Sequence, residues 1–391
     1  MKENKEGALW GVKKNVFVLG LVSLFNDISS EMIYPLIPLF LVNVLGASKS
    51  VIGLIEGIAL STASILKLFS GWLSDKLGKR KTFVFWGYTL SALTKPLLSL
   101  STLWSHVLFL RFADRAGKGV RTSPRDAIIA SSSEEGLRGR SFGLHRSLDT
   151  LGAVIGPALT FLLLPLFNQD YRKIFLISFL PALLAVSLVL LFVSEKKALK
   201  EEDGFKLSLD FSSFSKEFKA FLFISFLFAL GNSSDAFLIL RAQNLGITLI
   251  WIPLVYTMFN LVEVIISLPA GILSDKIGRK RVISIGFLVF FLVYCGFALA
   301  SNSHQIWFLF AFYGFYSGLT EGVGRAFASD LLKKGQRGTG LGVYHFLIGI
   351  AALPASLIAG FLWQLVSPAA TFSFGAGTAL LSGIFLVALL K

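Results

Sequence analysis

Apolar runs about as long as a bilayer is thick recur through this chain, and no other feature limits its fold so strongly. Residues 174–193 read IFLISFLPALLAVSLVLLFV, residues 151–170 read LGAVIGPALTFLLLPLFNQD, and residues 379–390 read ALLSGIFLVALL. A helix needs about 20 mainly apolar residues to cross the hydrocarbon core. A transmembrane strand would appear as an alternating segment of about 10, a pattern missing here. Twelve candidate spans begin near residues 15, 49, 83, 105, 141, 173, 218, 250, 282, 305, 340 and 369. The fold class expected is therefore an all-α polytopic membrane protein with twelve transmembrane helices. The apolar run after MKENKEGALWGVKKNVFVLG continues past Asp27 and Glu31 with no small-residue cleavage site, so the first span is read as retained.

Composition agrees: 54% of residues are hydrophobic, 15% are charged and the mean hydropathy is +0.72, far from the balance of a water-soluble domain. The formal net charge of +14 does not point to nucleic acid, because the basic residues gather in alternate loops. Lys13 and Lys14 precede span 1, Lys76, Lys79, Arg80 and Lys81 follow span 2, and Arg138 and Arg140 precede span 5. Lys196, Lys197 and Lys200 follow span 6, Lys276 to Arg281 follow span 8, and Lys333, Lys334 and Arg337 follow span 10. The opposite loops are poor in them, Arg172 and Lys173 excepted. The positive-inside rule then puts both termini in the cytoplasm and the chain in the inner, cytoplasmic membrane, in contact with lipid. Cys295 is the single cysteine and lies within a span, and the four histidines lack metal-ligand spacing. No metal site and no cofactor is expected, and the chain is read as a monomer.

A polar stretch at 195–217 divides the chain into an N-terminal six-span half, 1–194, and a C-terminal half, 218–391. Phe and Leu alternate with polar residues in its second part, which reads as a solvated linker or a surface-lying amphipathic segment. The halves repeat each other: GWLSDKLGKRK at 71–81 matches GILSDKIGRKR at 271–281, Ser29–Glu31 matches Ser233–Asp235, and Arg121 and Asp126 match Arg325 and Asp330. Parallel repeats of this kind place a substrate site near the midplane, which is the logic of a transporter. In the repeated turn, Gly71 permits close helix approach and Gly78 a backbone conformation that side chains disfavour. Asp75 is positioned to accept hydrogen bonds from amides at a neighbouring helix N-terminus, a contact worth about 0.3 to 2 kcal/mol. Gly271, Asp275, Gly278 and Arg279 repeat these roles, with Arg80 as the matching cation of the first copy.

The pattern Gly-x-x-x-Asp-(Lys/Arg)-x-Gly followed by three basic residues, present twice with twelve spans, resembles the major facilitator superfamily. The resemblance implies two pseudo-symmetric six-helix halves and gives the duplicated turn the role of a conformational latch. EMIYP, Glu31 to Pro35, resembles the acid-Met-x-x-Pro segment of first helices in proton-coupled drug exporters. RFADRAGKG, Arg111 to Gly119, resembles a fourth-helix pattern whose arginine, here Arg111, is associated with proton coupling; Asp114 and Arg115 replace its Gln and first Gly. Gly152, Gly156 and Pro157 resemble the Gly-x-x-x-Gly-Pro segment of antiporters, implied to pack tightly against the opposite half.

Charge inside a bilayer is costly, at least about 2.5 kcal/mol per central residue, so each such residue needs a partner or a task. Asp27 and Glu31 share one face of span 1, and span 4 carries Arg111, Asp114, Arg115 and Lys118. Depth matching predicts cross-helix pairs Glu31–Arg111 and Asp27–Arg115. His145, Arg146 and Asp149 open span 5, Glu56 and Glu263 lie in spans 2 and 8, and Lys95 lies midway along span 3 beside Pro96. Lys67 reads as snorkelling to the surface. Glu31 is expected to be the titrating acid. Asp235, its repeat, is expected across a central cavity, setting substrate choice. Tyr34, Trp251, Tyr256, Tyr313, Tyr316, Tyr344 and Trp363 are the candidate cavity or belt aromatics.

The leading functional reading is a secondary transporter that exports a small organic molecule, anionic or amphipathic, in exchange for protons. Uptake or uniport of an organic anion held by Arg111, Arg115 and Lys118 is the alternative. A membrane enzyme using Asp114 or His145 as base leaves the two matching halves without a reason, and a non-transporting sensor on the same fold is a third reading.

Overall fold

The structure, a computed structural model, describes residues 8–9, 12–133, 137–195, 214–333 and 336–390. A short antiparallel pair, β1 (Ala8–Leu9) and β2 (Val12–Lys13), leads into α1 (Lys14–Ile33). A 3₁₀ turn at Tyr34–Leu36 then interrupts the run before α2 (Ile37–Asn43). Helices α3 (Lys49–Leu77), α4 (Arg80–Ser99), α5 (Trp104–Ser132), α6 (Arg138–Leu166) and α7 (Tyr171–Phe192) follow. After the linker come α8 (Lys216–Gly231), α9 (Ala236–Asn244), α10 (Ile252–Ile277), α11 (Arg279–Leu299), α12 (Ser303–Asp330), α13 (Arg337–Leu365) and α14 (Pro368–Leu389). Each expected span coincides with a helix or an interrupted pair. Among the described residues, 9 of these runs are long and apolar enough to cross a membrane by length and composition. The other runs, α4, α5 and α12, fall short of that standard, α5 because it carries the charged series from Arg111 to Asp126. Of the expected linker, residues 196–213 lie outside the described residues, and with them Lys196, Lys197, Lys200 and most of the amphipathic segment. Lys334 lies outside them too.

The first run of each half is a broken helix. At Tyr34–Leu36 the break contains Pro35, whose ring disfavours helical geometry in the residue before it. Between α8 and α9 the break spans Asn232–Asp235 with no proline. Asn, Ser and Asp compete for backbone hydrogen bonds and weaken a helix interior. Here the Ser234 hydroxyl accepts from the Ala236 amide at 3.3 Å.

The chain packs into two compact units. One gathers Met1–Tyr34 with Ile65–Phe205, the other Pro35–Ser64 with Lys206–Lys391. Residues 35–64 thus cluster with the second unit, for a reason visible in α3. A Cβ at Gly53 would overlap the Ser356 carbonyl oxygen and one at Gly57 would lie 2.9 Å from the Leu353 Cα, so α3 and α13 meet backbone to backbone.

In the first unit, Val16, Leu19 and Val22 of α1 form a core with Val84 and Tyr88 of α4, Ile128 and Ile129 of α5, and Ala185 and Val189 of α7. Helix ends are capped locally: Asp170 accepts from the Arg172 amide at 2.9 Å, Ser215 from Phe218 at 3.1 Å, and Asn302 forms a capping box with Gln305.

Candidate functional site

Ionised side chains in the first unit collect on the mutually facing sides of α1, α4, α5 and α6. At the centre is Asp114 of α5. Its Oδ1 accepts from Lys95 Nζ of α4 at 2.9 Å, and its Oδ2 lies 3.5 Å from Arg115 Nε and 3.8 Å from Arg111 Nη1. The Lys95 side chain is 1% exposed and that of Asp114 8%, so three cations share one buried carboxylate. Ser30 Oγ of α1 stands 3.5 Å from Lys95 Nζ, and the Arg111 guanidinium lies 5.6 Å from the centre of the Tyr34 ring. Deeper along α5, Arg121 donates to Ser91 Oγ at 2.8 Å and lies 4.4 Å over Tyr88. Gly87 and Gly117 bring α4 and α5 together here, since a Cβ at Gly117 would be 2.5 Å from the Gly87 carbonyl oxygen.

The expected Asp27–Arg115 pair is not formed. Arg115 turns to Asp114 on its own helix, and Asp27 instead faces α6, the helix of Asp149: a Cβ at Gly152 would lie 3.0 Å from Asp27 Cβ, and Asn26 Nδ2 donates to Asp27 Oδ1 at 3.2 Å. Counting depth along two helices fixes height but not azimuth, and here the azimuths differ. Asp149 accepts from the Ser23 hydroxyl and from Arg146 Nη1, the latter at 3.2 Å. Glu31 lies directly over Gly156, where an added Cβ would come within 2.9 Å of Glu31 Cβ and 2.8 Å of the Ile28 carbonyl oxygen. Gly152 meets Leu24 and Asp27 in the same way, and Thr160, just beyond Pro157, donates to the Met32 carbonyl at 2.8 Å. The Gly-x-x-x-Gly-Pro segment therefore packs on α1 of its own unit. What it positions is the carboxylate face of α1.

The second unit builds a different site at its broken helix. Asp235 Oδ1 accepts from Tyr313 OH of α12 at 2.8 Å, and Oδ2 stands 3.5 Å from Tyr256 OH of α10. Asn232 donates to Tyr316 OH at 3.2 Å. Glu56 of α3, 1% exposed, lies 3.3 Å from Ser234 Oγ, and the Ser234 amide lies 3.4 Å from Ser356 Oγ. Tyr256, Tyr313 and Tyr316 thus belong to the site, whereas Trp251 is 47% exposed beside Trp307, and Tyr344 stacks on Phe221 at 5.8 Å. Trp363 is buried against Phe237 and Phe372. Glu263 sits half-buried on α10 where that helix meets Gly314 and Gly318 of α12.

The two repeated turns share a backbone and differ in their partners. Gly78 and Gly278 have φ of 62° and 96°, the left-handed region that favours glycine. Gly71 approaches Ser123 of α5 closely, with a Cβ distance of 3.0 Å, while an added Cβ at Gly271 meets nothing within 4 Å, so packing does not require glycine there. Asp75 does not cap a helix. It pairs with Arg80 Nε at 2.7 Å, and the exposed amides of α4, Arg80 N and Lys81 N, donate instead to Glu195 at 2.6 and 3.2 Å. In the second unit Arg279 is 3.4 Å from Asp275 and also pairs with Asp330. Lys81 donates to the Leu190 carbonyl at 3.0 Å, and Lys280 to the carbonyls of Val387 and Leu390, so each half ties this turn to the end of its sixth span.

Broken membrane helices, compensated charges at mid-helix and an internal repeat define a membrane transporter rather than an enzyme. Residues 19–240 and 221–391 each match the Major Facilitator Superfamily. An uncharacterized MFS-type transporter of Methanocaldococcus jannaschii is 40% identical over 382 residues, 96% of this chain and 95% of its own length. The chain belongs to the major facilitator superfamily. The crystal structure of the nucleoside transporter NupG superposes with a TM-score of 0.78 at 13% identity, over 96% of this chain and 99% of that one. The quinolone resistance protein NorA of Staphylococcus aureus is 25% identical over 148 residues, 38% of either chain.

Proposed function

We propose that the protein is a proton-coupled secondary transporter that exports a small organic molecule by rocker-switch alternating access. The observation that carries this reading is the carboxyl cluster Asp27, Glu31 and Asp149 on α1 and α6. Carboxyl groups crowded at one site disfavour one another's ionised form, and Gly152 and Gly156 seat Asp27 and Glu31 against α6, the helix that carries Asp149. Glu31 is the principal carrier in this scheme, with Arg111 as its partner. The halves 1–194 and 218–391 rock about the linker, and the duplicated turns at 71–81 and 271–281 bias the two states. Both termini face the cytoplasm, in keeping with the basic loops, and the protein works as a monomer. The partial likeness to the quinolone resistance protein supports the export direction.

A second reading, uptake of an organic anion, is favoured by Arg111, Arg115 and Lys118 lying together on α5. Proteoliposomes with an imposed pH gradient and an internal pH dye separate the two. Export coupled to protons gives substrate-dependent alkalinisation of the proton-rich side, lost in Glu31→Gln. An anion uniporter moves substrate with no pH response, and that result would overturn the proposal.

A further inference from the structure

Asp235 presents a problem that the first unit's acids do not. It sits at the break between α8 and α9, in a run long and apolar enough to cross a membrane, and its hydrogen-bond partners are the hydroxyls of Tyr313 and Tyr256. The ion pairs of Arg279 with Asp275 and Asp330, and of Arg325 with Glu321, do not reach Asp235. Arg241, on the same short helix, is committed to the carbonyls of Phe297 and Ala300 and to Asn244. Glu56 of α3, an acid of the same sign, lies 3.3 Å from the hydroxyl of the adjacent Ser234. A carboxylate in a bilayer interior without a basic partner is a functional feature by default.

Its surroundings say what the missing charge is made of. Phe259 lies 5.1 Å from Tyr313 and 5.3 Å from Tyr256, centre to centre, so one phenyl ring bridges the two tyrosines that hold the carboxylate. Tyr316 continues the wall at 5.4 Å from Tyr313, backed by Phe290 at 4.8 Å. Aromatic rings around a single acid attract a soft organic cation through their π faces. A hard inorganic cation asks instead for six or more oxygen ligands, whereas the rings here present mainly carbon, with the hydroxyls of Tyr256 and Tyr313 turned to Asp235 and that of Tyr316 to Asn232.

We propose that Asp235, held by Tyr256 and Tyr313 and walled by Phe259, is the subsite for an ammonium group of the transported molecule. This rests on the transporter reading above and deepens it by assigning the cationic end of the substrate to the second unit. Asp235 provides the charge, the tyrosine hydroxyls fix its orientation, and Phe259 provides the desolvated face against which alkyl groups on nitrogen pack.

The test uses the full chain in detergent, with benzyltrimethylammonium as probe, its neutral carbon isostere and phenylacetate as controls, and binding read by calorimetry. The ammonium probe is expected to bind wild type at least 10-fold more tightly than either control. Asp235→Asn, which keeps one tyrosine hydrogen bond and reverses the direction of the other, is expected to lose 10-fold or more, Asp235→Glu to recover part of that, and Phe259→Leu to lose about 3-fold. Equal binding of the ammonium and its neutral isostere to wild type overturns the proposal without any variant. So does competition by millimolar sodium in place of the organic probe, which would make this an inorganic cation site. Flux in proteoliposomes then separates the two levels. Asp235-dependent binding with no flux of the probe retains the subsite and removes the transport reading, whereas flux indifferent to Asp235→Asn removes the subsite alone.

Discussion

Asp114 is the most consequential single carboxylate in the first unit, and its removal should cost more than removal of its nearest cation. Lys95 Nζ approaches to 2.9 Å, and Arg115 and Arg111 stand at 3.5 and 3.8 Å. Two unit charges 4 Å apart at an effective dielectric near 20 interact by about 4 kcal/mol, so each contact is comparable in gross strength. Breaking a buried pair from one side typically costs about 3–5 kcal/mol. Lys95→Met leaves Asp114 with two arginines, so the lower end, about 3 kcal/mol, is expected. Asp114→Asn leaves three cations facing one another with no carboxylate between them, and about 5 kcal/mol is expected. In the double variant the Lys95 charge is no longer stranded, so its cost should fall short of the sum of the singles by about 1–3 kcal/mol. Denaturant unfolding of the four proteins in one mild detergent measures all three quantities. A milder effect for Asp114→Asn than for Lys95→Met, or strict additivity, would refute the shared-carboxylate argument.

The turn geometry gives a matched contrast: Gly78→Val should lose about 1–2 kcal/mol of stability because φ is 62° there, whereas Gly271→Ala, with open space around it, should leave the melting temperature unchanged. Glu195→Gln should weaken the cap on α4 by about 0.3–1 kcal/mol and speed amide exchange at Arg80 and Lys81, read by hydrogen–deuterium exchange mass spectrometry. Gly156→Leu should force α1 and α6 apart and destabilise by about 1–3 kcal/mol or more, checked by melting in detergent, with Gly143→Leu, on the same helix with no neighbour within 4 Å, as the tolerant control.

The spans were legible because bilayer crossing demands long apolar runs, and hydropathy registers these one residue at a time. The left-handed glycines of the repeated turn, Gly78 and Gly278, are legible for a similarly local reason, since a two-residue connection such as that between α3 and α4 leaves few backbone routes. The break at Asn232–Asp235 was not read as one, although the run Gly-Asn-Ser-Ser-Asp is the signal that would have located it. The depth of Lys95 marks it in the sequence as needing a partner, but the partner itself is not legible there, because Asp114 lies on another helix and only the α4–α5 rotation, set by Gly87 and Gly117, brings them together. Glu195 falls in the polar stretch that reads as linker. Its function depends on amides 115 and 114 positions away, and no local pattern records that.

The duplicated turn marks the boundary between what a repeat in sequence determines and what it leaves open. Both copies place glycine where φ is positive and an aspartate four residues beyond the first glycine, so both form the same bend. Yet Asp126 and Asp330, at matching positions, go different ways: Asp330 reaches the turn arginine Arg279, while Asp126 pairs at 2.8 Å with its neighbour Arg125. The first turn is held instead by Glu195, at the end of α7. Backbone conformation follows from local sequence and is therefore inherited by both copies. Charge partners depend on what surrounds each copy, and the surroundings differ. The same distinction runs through the two sites, where Glu31 and Asp235 occupy equivalent positions, one in a unit rich in arginine and lysine and the other among tyrosines. Acids at matching positions of the repeat thus sit in two environments, which is the physical condition for two separate roles.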